Sequence, residues 1–428
     1  METIVEEKKL IASKMAETLI GSEIIKLAGE IREKVAKGAQ IYNFTIGDFD
    51  PKIFPIPNEL KNAIVKHYES DNTNYPEANG MAKLREAISD FLNKQGGYSY
   101  SPNEILVSAG ARPIIYSIYR AVIDAGDKVV YPVPSWNNNH YSHMTEANQV
   151  FIETKPENNF MPIASELAGE LENAVLLSLC SPLNPTGTVF TKEQLLQICD
   201  LVLEINARRE PGKKPLYVMY DQIYWALTFD GCEHVDPVRL RPEMKKYTIY
   251  VDGISKSLAA TGVRVGWAMG PAFIIDKMKN ILNHVGAWSP KPEQLATADF
   301  LSDENAYSNF TNEFKKNIFN RLSGLYDVFD KLKKEGFKVN AIQPKAAIYL
   351  TVQFDLKGMK LPSGEAISTT KQITQFILDE AGVGLVPFNA FGADNESTWY
   401  RLSVGTCKIE DIEKVYQNLK NSLVKLKN

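Results

Sequence analysis

A lysine set directly after a buried strand is an unusual placement, and one occurs in VDGISKSLAATGVRVGWAMGP, residues 251–271. The apolar run ends at Gly253, Ser255 and Lys256 follow in what reads as a turn, and Arg264 precedes a second apolar strand. Desolvation disfavours an ammonium ion, so such a lysine is expected to carry a lowered pKa and a nucleophilic amine. A nucleophilic amine can form a Schiff base with a carbonyl compound. Ser255 offers a hydroxyl, and the Arg264 guanidinium suits a phosphate dianion. Read alone, Lys256 could equally cap a strand end and point to water.

Four other segments end in chemically useful residues. LYVMYDQIY places Asp221 at a strand end with Tyr224 three residues on, although an acid there is also a helix cap. LSLCSPLNPTGTVF sets Asn184 between two prolines in an extended loop, which taken singly is a turn. EILVSAGARP ends a strand at Ser108 and opens a helix at Gly110 and Ala111, where free backbone N–H groups and the helix dipole can hold a phosphate. VVYPVPSW delivers Trp136, either a core residue or a flat stacking surface.

The elements that must position these residues are legible from about residue 105. Short β-branched runs alternate there with amphipathic helical stretches such as PIIYSIYRAVIDAG and TKEQLLQICDLVLEINARR. Apolar strands separated by helices predict a mainly parallel sheet buried on both faces, with TIYVDGIS as a central strand. Such sheets place ligands at the carboxyl ends of their strands, where the residues above fall. Beyond about residue 305 the pattern changes to one helix of some thirty residues, then strands in AAIYLTVQF and TWYRLSV with helices between and after them. The fold class is therefore α/β, with a large sheet-and-helix domain over residues 50–310 and a smaller α+β domain built from both chain ends, 1–49 and 311–428. Within the first end, SEIIKLAGEIREKVAKG reads as an amphipathic helix and NFTIGDF as a short strand.

Composition excludes several functions. With 428 residues, Lys+Arg 48 against Asp+Glu 52 leaves a net charge of −4, which lacks the basic footprint of a nucleic-acid binder and gives no reason to invoke a membrane surface. Four dispersed cysteines and five histidines outline neither a disulfide framework nor a metal site. METIVEEKKL carries no apolar run of signal-peptide type, and no stretch is long enough to span a bilayer, so a cytoplasmic location is expected.

Taken together, five segments in order resemble the pyridoxal-phosphate aminotransferases of fold type I, class I/II, which include bacterial aspartate aminotransferases. They are Y-P-E-A-N-G-M-A-K-L-R-E-A at 75–87, S-P-L-N-P-T-G at 181–187, Y-D-Q-I-Y at 220–224, S-K-S-L-A-A-T-G-V-R-V-G at 255–266 and Y-R-L-S-V at 400–404. The resemblance implies pyridoxal 5'-phosphate as cofactor, held covalently by Lys256, which also shuttles the proton. It implies Asp221 on the pyridinium nitrogen, keeping the ring electron-withdrawing, with Asn184 and Tyr224 on the phenolic oxygen and Trp136 on the ring face. Ser255, Arg264, Gly110 and Ala111 would hold the phosphate, and Arg401 the substrate α-carboxylate, with Gly47 closing over it. Tyr75 would reach the phosphate of a neighbouring subunit, implying a homodimer with shared sites. The implied reaction moves an amino group from an α-amino acid to a 2-oxo acid such as 2-oxoglutarate. A β-lyase on the same scaffold, or a non-catalytic ligand-binding regulator, are the alternatives.

The chain departs from the family pattern at three places. Arg112 stands where some members have a lysine for a distal carboxylate, which favours a dicarboxylic substrate, or else makes a phosphate or surface contact. In VGAWSPKPEQ, Trp288, Ser289, Pro290 and Lys291 replace small hydroxyl residues. Trp288 either narrows the pocket or packs at a dimer interface, and Lys291 offers another anion contact. Gly47-Asp48-Phe49 lacks the frequent Gly-x-Pro. Aspartate and an aromatic amino acid remain the leading donors, the first supported by Arg112 and the second by Trp136 and Trp288.

Overall fold

The computed structural model describes residues 11–21, 23–97 and 99–427; the N-terminal ten, on which the absence of a leader was read, lie outside them. A two-residue strand β1 (Tyr42–Asn43) comes first. It is followed by β2 (Ile105–Ser108), β3 (Lys128–Val133), β4 (Asn148–Glu153), β5 (Ala174–Cys180), β6 (Tyr217–Asp221), β7 (Thr248–Gly253) and β8 (Gly266–Met269). These last seven form one sheet in the order β2-β8-β7-β6-β5-β3-β4. Every neighbouring pair is parallel except those of β8, which runs against both β7 and β2.

Side-chain alternation explains why this sheet needs helices on both sides. Val107, Val130, Leu177, Leu179, Val218 and Tyr250 join one core, while Leu106, Val129, Leu176, Met219, Ile249 and Val251 join another on the opposite face. The helix Ala111–Val122 covers the second face with Ile114, Ile115, Ile118, Tyr119 and Val122, spaced to share one side of a helix. The strand β4, not anticipated from the sequence, is an edge strand. Its burial alternates between exposed and half-buried, so it lacks the continuous apolar run of its neighbours.

Past Asp303, whose side chain caps the Ala306 N–H, a 31-residue helix runs from Glu304 to Lys334. Its first turn packs Tyr307 into the large-sheet core, and Phe314, Ile318, Leu322, Leu325 and Phe329 enter a third core. That core takes side chains from β9 (Val339–Ala341), β10 (Tyr349–Phe354), β11 (Val383–Gly384) and β13 (Trp399–Ser403), while β12 (Val386–Pro387) sends Val386 into a smaller cluster with Phe160, Phe388 and Phe391. Four of these make an antiparallel sheet, β12-β13-β10-β9, and β11 pairs in parallel with β1. The segment NFTIGDF is thus strand only at Asn43. The rest is an irregular chain that meets the small sheet through Ser403 N–H to Phe44 O, 2.9 Å. The third core also takes Ile223, Tyr224 and Leu227 from the loop after β6, so the two sheets share packing where that loop turns.

Leu322 is fully buried in this shared core. Leu322→Ala is expected to lower the unfolding free energy by about 2–5 kcal/mol. In urea titration the midpoint falls while the slope stays unchanged.

Candidate active site

Sheet register lines up the ends of the strands. Cys180 lies opposite Asp221, Asp221 opposite Val251, Gly253 opposite Gly266 and Ser108 opposite Gly266. Because β8 is antiparallel, its start is on the same edge as the other strands' ends, which brings Arg264 beside the turns that follow β2 and β7. A cavity of about 550 Å³ opens along this edge, and Arg401 from the small sheet also lines it.

Lys256 occupies a one-turn helix, Ile254–Ser257, rather than the open turn expected from the sequence. Its Nζ donates to Gly47 O at 2.6 Å and lies within 6 Å of the Phe49 and Tyr224 ring centres. Burial lowers its pKa to about 8. The positive charges of Arg401, Arg112 and Arg264 push the same way, and Asp48 opposes them.

Asp221 accepts the Ile223 N–H at 3.1 Å through Oδ1, and burial raises its pKa to about 6. Among the described residues no cationic side chain lies within 4.0 Å of it. The neighbouring Cys180 thiol donates to Pro182 O and is held far above its ordinary pKa by burial, with the Asp221 charge adding to the effect, so it is not a nucleophile.

Arg401, 2% exposed on β13, is a second buried charge without a counter-ion among the described residues. Nη1 donates to Asn184 Oδ1 at 3.0 Å and Nη2 to Thr45 O at 2.6 Å, whereas the buried Nε has no partner. The rings of Tyr349 and Phe391 lie 4.8 and 4.9 Å from its guanidinium carbon. Tyr349 also shares a 2.6 Å hydrogen bond with Tyr224, and burial drives both phenols upward in pKa. A Cβ at Gly47 would stand 2.9 Å from the Tyr349 hydroxyl and 3.5 Å from Arg401 Nη1, so only a glycine brings backbone this close to the guanidinium.

The fourth corner is a cradle. Gly110 has φ +88° and caps the helix Ala111–Val122; a Cβ there would run into the Arg264 guanidinium. Arg264 itself takes the left-handed conformation at φ +64°, donating to Thr261 O at 2.7 Å and Ala109 O at 2.9 Å. Strain of this kind in a non-glycine residue persists only where its surroundings hold it. Ser255 and Ala111 line the same wall, and the arrangement suits an oxyanion at a helix N-terminus.

The structure therefore brings Lys256, Asp221, Tyr224, Asn184, Trp136, Ser255, Arg264, Ala111, Arg401, Gly47 and Arg112 to one cavity, with Gly110 directly behind. Arg112 is exposed, its guanidinium 5.3 Å from the Trp136 ring centre. Tyr75, Trp288 and Lys291 do not line this cavity. Tyr75 is 81% exposed with its ring edge against Trp288, and Lys291 donates to Asn74 Oδ1 at 2.7 Å. Sequence reasoning missed Tyr349, hidden in an apolar strand. It also missed Ile24 and Ile25, which carry no polar signal and reach the cavity from the helix Glu23–Ala36, and Thr261, whose hydroxyl donates to Asp48 Oδ1 at 2.6 Å.

Residues 39–419 match the family described as aminotransferase class I and II. An aspartate aminotransferase from a Bacillus species is 28% identical over 390 residues, which is 90% of this chain and 93% of that protein. A probable aspartate/prephenate aminotransferase from Rickettsia felis is 29% identical over 382 residues, 88% of each chain. The solved aspartate aminotransferase of Thermus thermophilus with maleate superposes with a TM-score of 0.84 at 25% identity, covering 97% of this chain and all of that one.

The raised pKa of Asp221 carries a consequence for stability. Its folded-state value lies above the unfolded one, so the ionised form is penalised above pH 6 and the penalty vanishes below about pH 4. In the ligand-free chain, Asp221→Asn is expected to raise stability at pH 7.5 by up to roughly 3 kcal/mol. The gain should disappear at pH 4, as thermal melts at the two pH values would reveal.

Proposed function

The chain belongs to the class I and II aminotransferases, and on that premise we propose that it transfers the amino group of an acidic or aromatic α-amino acid to a 2-oxo acid such as 2-oxoglutarate, using pyridoxal 5'-phosphate. The observation that carries this is the pair of buried charges, Asp221 and Arg401, facing one cavity with a desolvated lysine beside them. The fit to the cofactor rests on the donor set. An unpaired carboxylate suits a protonated ring nitrogen, and the Gly110–Arg264 cradle, which a side chain at 110 would fill, suits a phosphate. An amine with a pKa near 8 suits capture of an aldehyde. Bound there, pyridoxal phosphate supplies an aldehyde for covalent capture of amines and a ring that spreads the charge left when a proton leaves the amino acid's α-carbon.

The residues of the chain do the rest. Lys256 Nζ, about half neutral at pH 8, would accept the proton from the amino acid's α-carbon and deliver it to the carbon that carried the cofactor's aldehyde, as a base matched to the working pH does best. Asp221 would stay ionised beside the ring nitrogen, and Tyr224 with Asn184 would hydrogen-bond the ring oxygen. Trp136 would provide the stacking face, and Ser255, Arg264, Ala111 and the Gly110 backbone would hold the phosphate. Arg401, aimed by Asn184 and Thr45, takes the substrate α-carboxylate with its free N–H groups, and Gly47 closes over it. Arg112 meets the substrate side chain; its guanidinium, 5.3 Å from the Trp136 ring centre, offers N–H groups to a distal carboxylate, and the Trp136 ring offers an apolar surface to an aromatic one. Residues 50–310 form the cofactor-binding body in this reading, with 1–49 and 311–428 as its cap. Tyr75 belongs to a partner's site in a cytoplasmic homodimer, which accords with its exposure here. The elimination alternative is not favoured, since the relatives named above are aminotransferases.

The direct test adds single amino acids to the purified protein and follows the cofactor's absorbance band. Aspartate or an aromatic amino acid is expected to convert it without an acceptor, and a band that no amino acid changes would reject the proposal. Lys256→Ala should lower kcat by about 10⁴-fold while cofactor is still retained by the cradle. Arg401→Lys is expected to raise KM for every carboxylated substrate by roughly 10–100-fold, as loss of a charged hydrogen-bond pair predicts. Arg112→Ala should raise it about tenfold for dicarboxylates alone; equal losses on aromatic substrates would reassign Arg112.

A further inference from the structure

A carboxylate outside the cavity joins the two segments that aim Lys256 and Asp221. Asp252 is the penultimate residue of β7, 1% exposed, with no cationic side chain within 4.0 Å among the described residues. Its Oδ1 accepts the Gly253 N–H at 2.7 Å, just ahead of the one-turn helix that bears Lys256. Its Oδ2 accepts the Trp225 indole N–H at 2.9 Å and the Gln222 amide N–H at 3.4 Å. Gln222 directly follows Asp221, and its backbone N–H donates to Val251 O at 3.0 Å, next to Asp252. His234 Nε2 lies 3.3 Å from Gln222 Oε1, and burial pushes this ring down to a pKa of about 3, so it stays neutral. A hydrogen on that nitrogen fixes the amide with its oxygen towards His234 and its NH2 towards Asp252.

We propose that Asp252 is a positioning residue for transamination: by accepting from Gly253, Gln222 and Trp225 at once, it sets the spacing between the turn that aims Asp221 and the turn that aims Lys256. The inference rests on the functional reading of those two residues. Three donors from two segments converge on one side chain, and only a carboxylate has the acceptor sites for all of them. An asparagine keeps a single acceptor oxygen and turns an NH2 towards at least one donor. Burial weighs against the charged form, raising the Asp252 pKa to about 8, so the site holds a group that is expensive to keep for stability alone. Misplacement of a reacting group by about 1 Å costs on the order of 10²-fold in rate, so a staple of this kind acts on kcat rather than on substrate binding.

The test compares the natural holoenzyme with Asp252→Asn, Gln222→Glu, the double variant and Trp225→Phe, measuring kcat, KM for the amino donor, the absorbance spectrum of the bound cofactor and the melting temperature. Asp252→Asn should lower kcat roughly 10–100-fold with KM within about threefold, and shift the cofactor band. The double variant restores a carboxylate–amide pair in reverse, though not an acceptor for both Gly253 and Trp225, and its kcat should exceed the product of the two single losses by at least about threefold, a coupling that mere loss of stability does not produce. Asp252→Asn with natural kcat, or a double variant no better than the product of the single losses, overturns the inference. If Asp252→Asn does not fold, Trp225→Phe and Gln222→Glu decide it: a lowered kcat with an altered band supports it, and natural values in both overturn it. A natural chain that binds pyridoxal phosphate and transaminates while Asp252→Asn matches it rejects the staple alone. A natural chain that does neither rejects the functional reading and the staple with it.

Discussion

Two opposite charges are buried in this molecule and kept from neutralising each other. Asp221 ends a strand of the large sheet and Arg401 sits in the middle of a strand of the small one, and each faces the shared cavity with hydrogen bonds but no counter-ion among the described residues. An ion taken out of water without a partner is costly, and a ligand that brought the missing charges with it would offset that cost. The same desolvated space lowers the pKa of Lys256, so one environment sets all three groups. The strained Arg264 belongs to the same set, because its left-handed backbone turns the guanidinium towards the helix start at Gly110.

The topology makes this possible with few special residues. Parallel strands deliver their ends to one edge, and the single antiparallel strand, β8, delivers its beginning there instead. The loop after β6 then crosses into the core of the small sheet, so Tyr224 is rooted in one sheet while Asp221, three residues earlier, ends a strand of the other. A change in the packing between the sheets therefore acts on Tyr224 before it acts on Gly110 and Arg264, which hang from the turns at the edge of the large sheet. The Asp252 contacts lie just beneath this crossing and tie its two sides through backbone and side chain together.

Much of this was legible in the sequence, because a strand buried on both faces is an unbroken apolar run and the polar residue that ends it stands out. Asp221, Lys256, Asn184 and the Gly110–Ala111 helix start were found in this way. What escaped had no such contrast. β4 alternates because it is an edge, and β12 is two residues long. Tyr349 lies inside AAIYLTVQF, where a tyrosine looks like any apolar strand residue until Tyr224 and Arg401 arrive from 125 and 52 positions away. Asp252 was likewise absorbed into TIYVDGIS as part of a central strand. The one-turn helix under Lys256 has too few residues to show a period.

The distribution of cost explains why so small a site needs so large a frame. Strained backbone and buried ionisable groups without a counter-ion cost of order 1–3 kcal/mol each, and among the described residues Arg264, Asp221, Arg401, Lys256 and Asp252 lie close together. A native domain has only about 5–15 kcal/mol to spare in total. Such a cluster survives because its members sit in or next to strands and helices whose apolar sides are buried, such as Val251 beside Asp252, Met219 and Tyr220 before Asp221, Val265 after Arg264, and Leu402 after Arg401. On the functional reading proposed for these residues, relieving one of these costs by mutation makes the chain easier to fold and worse at holding its ligand, so within this site stability is set against activity.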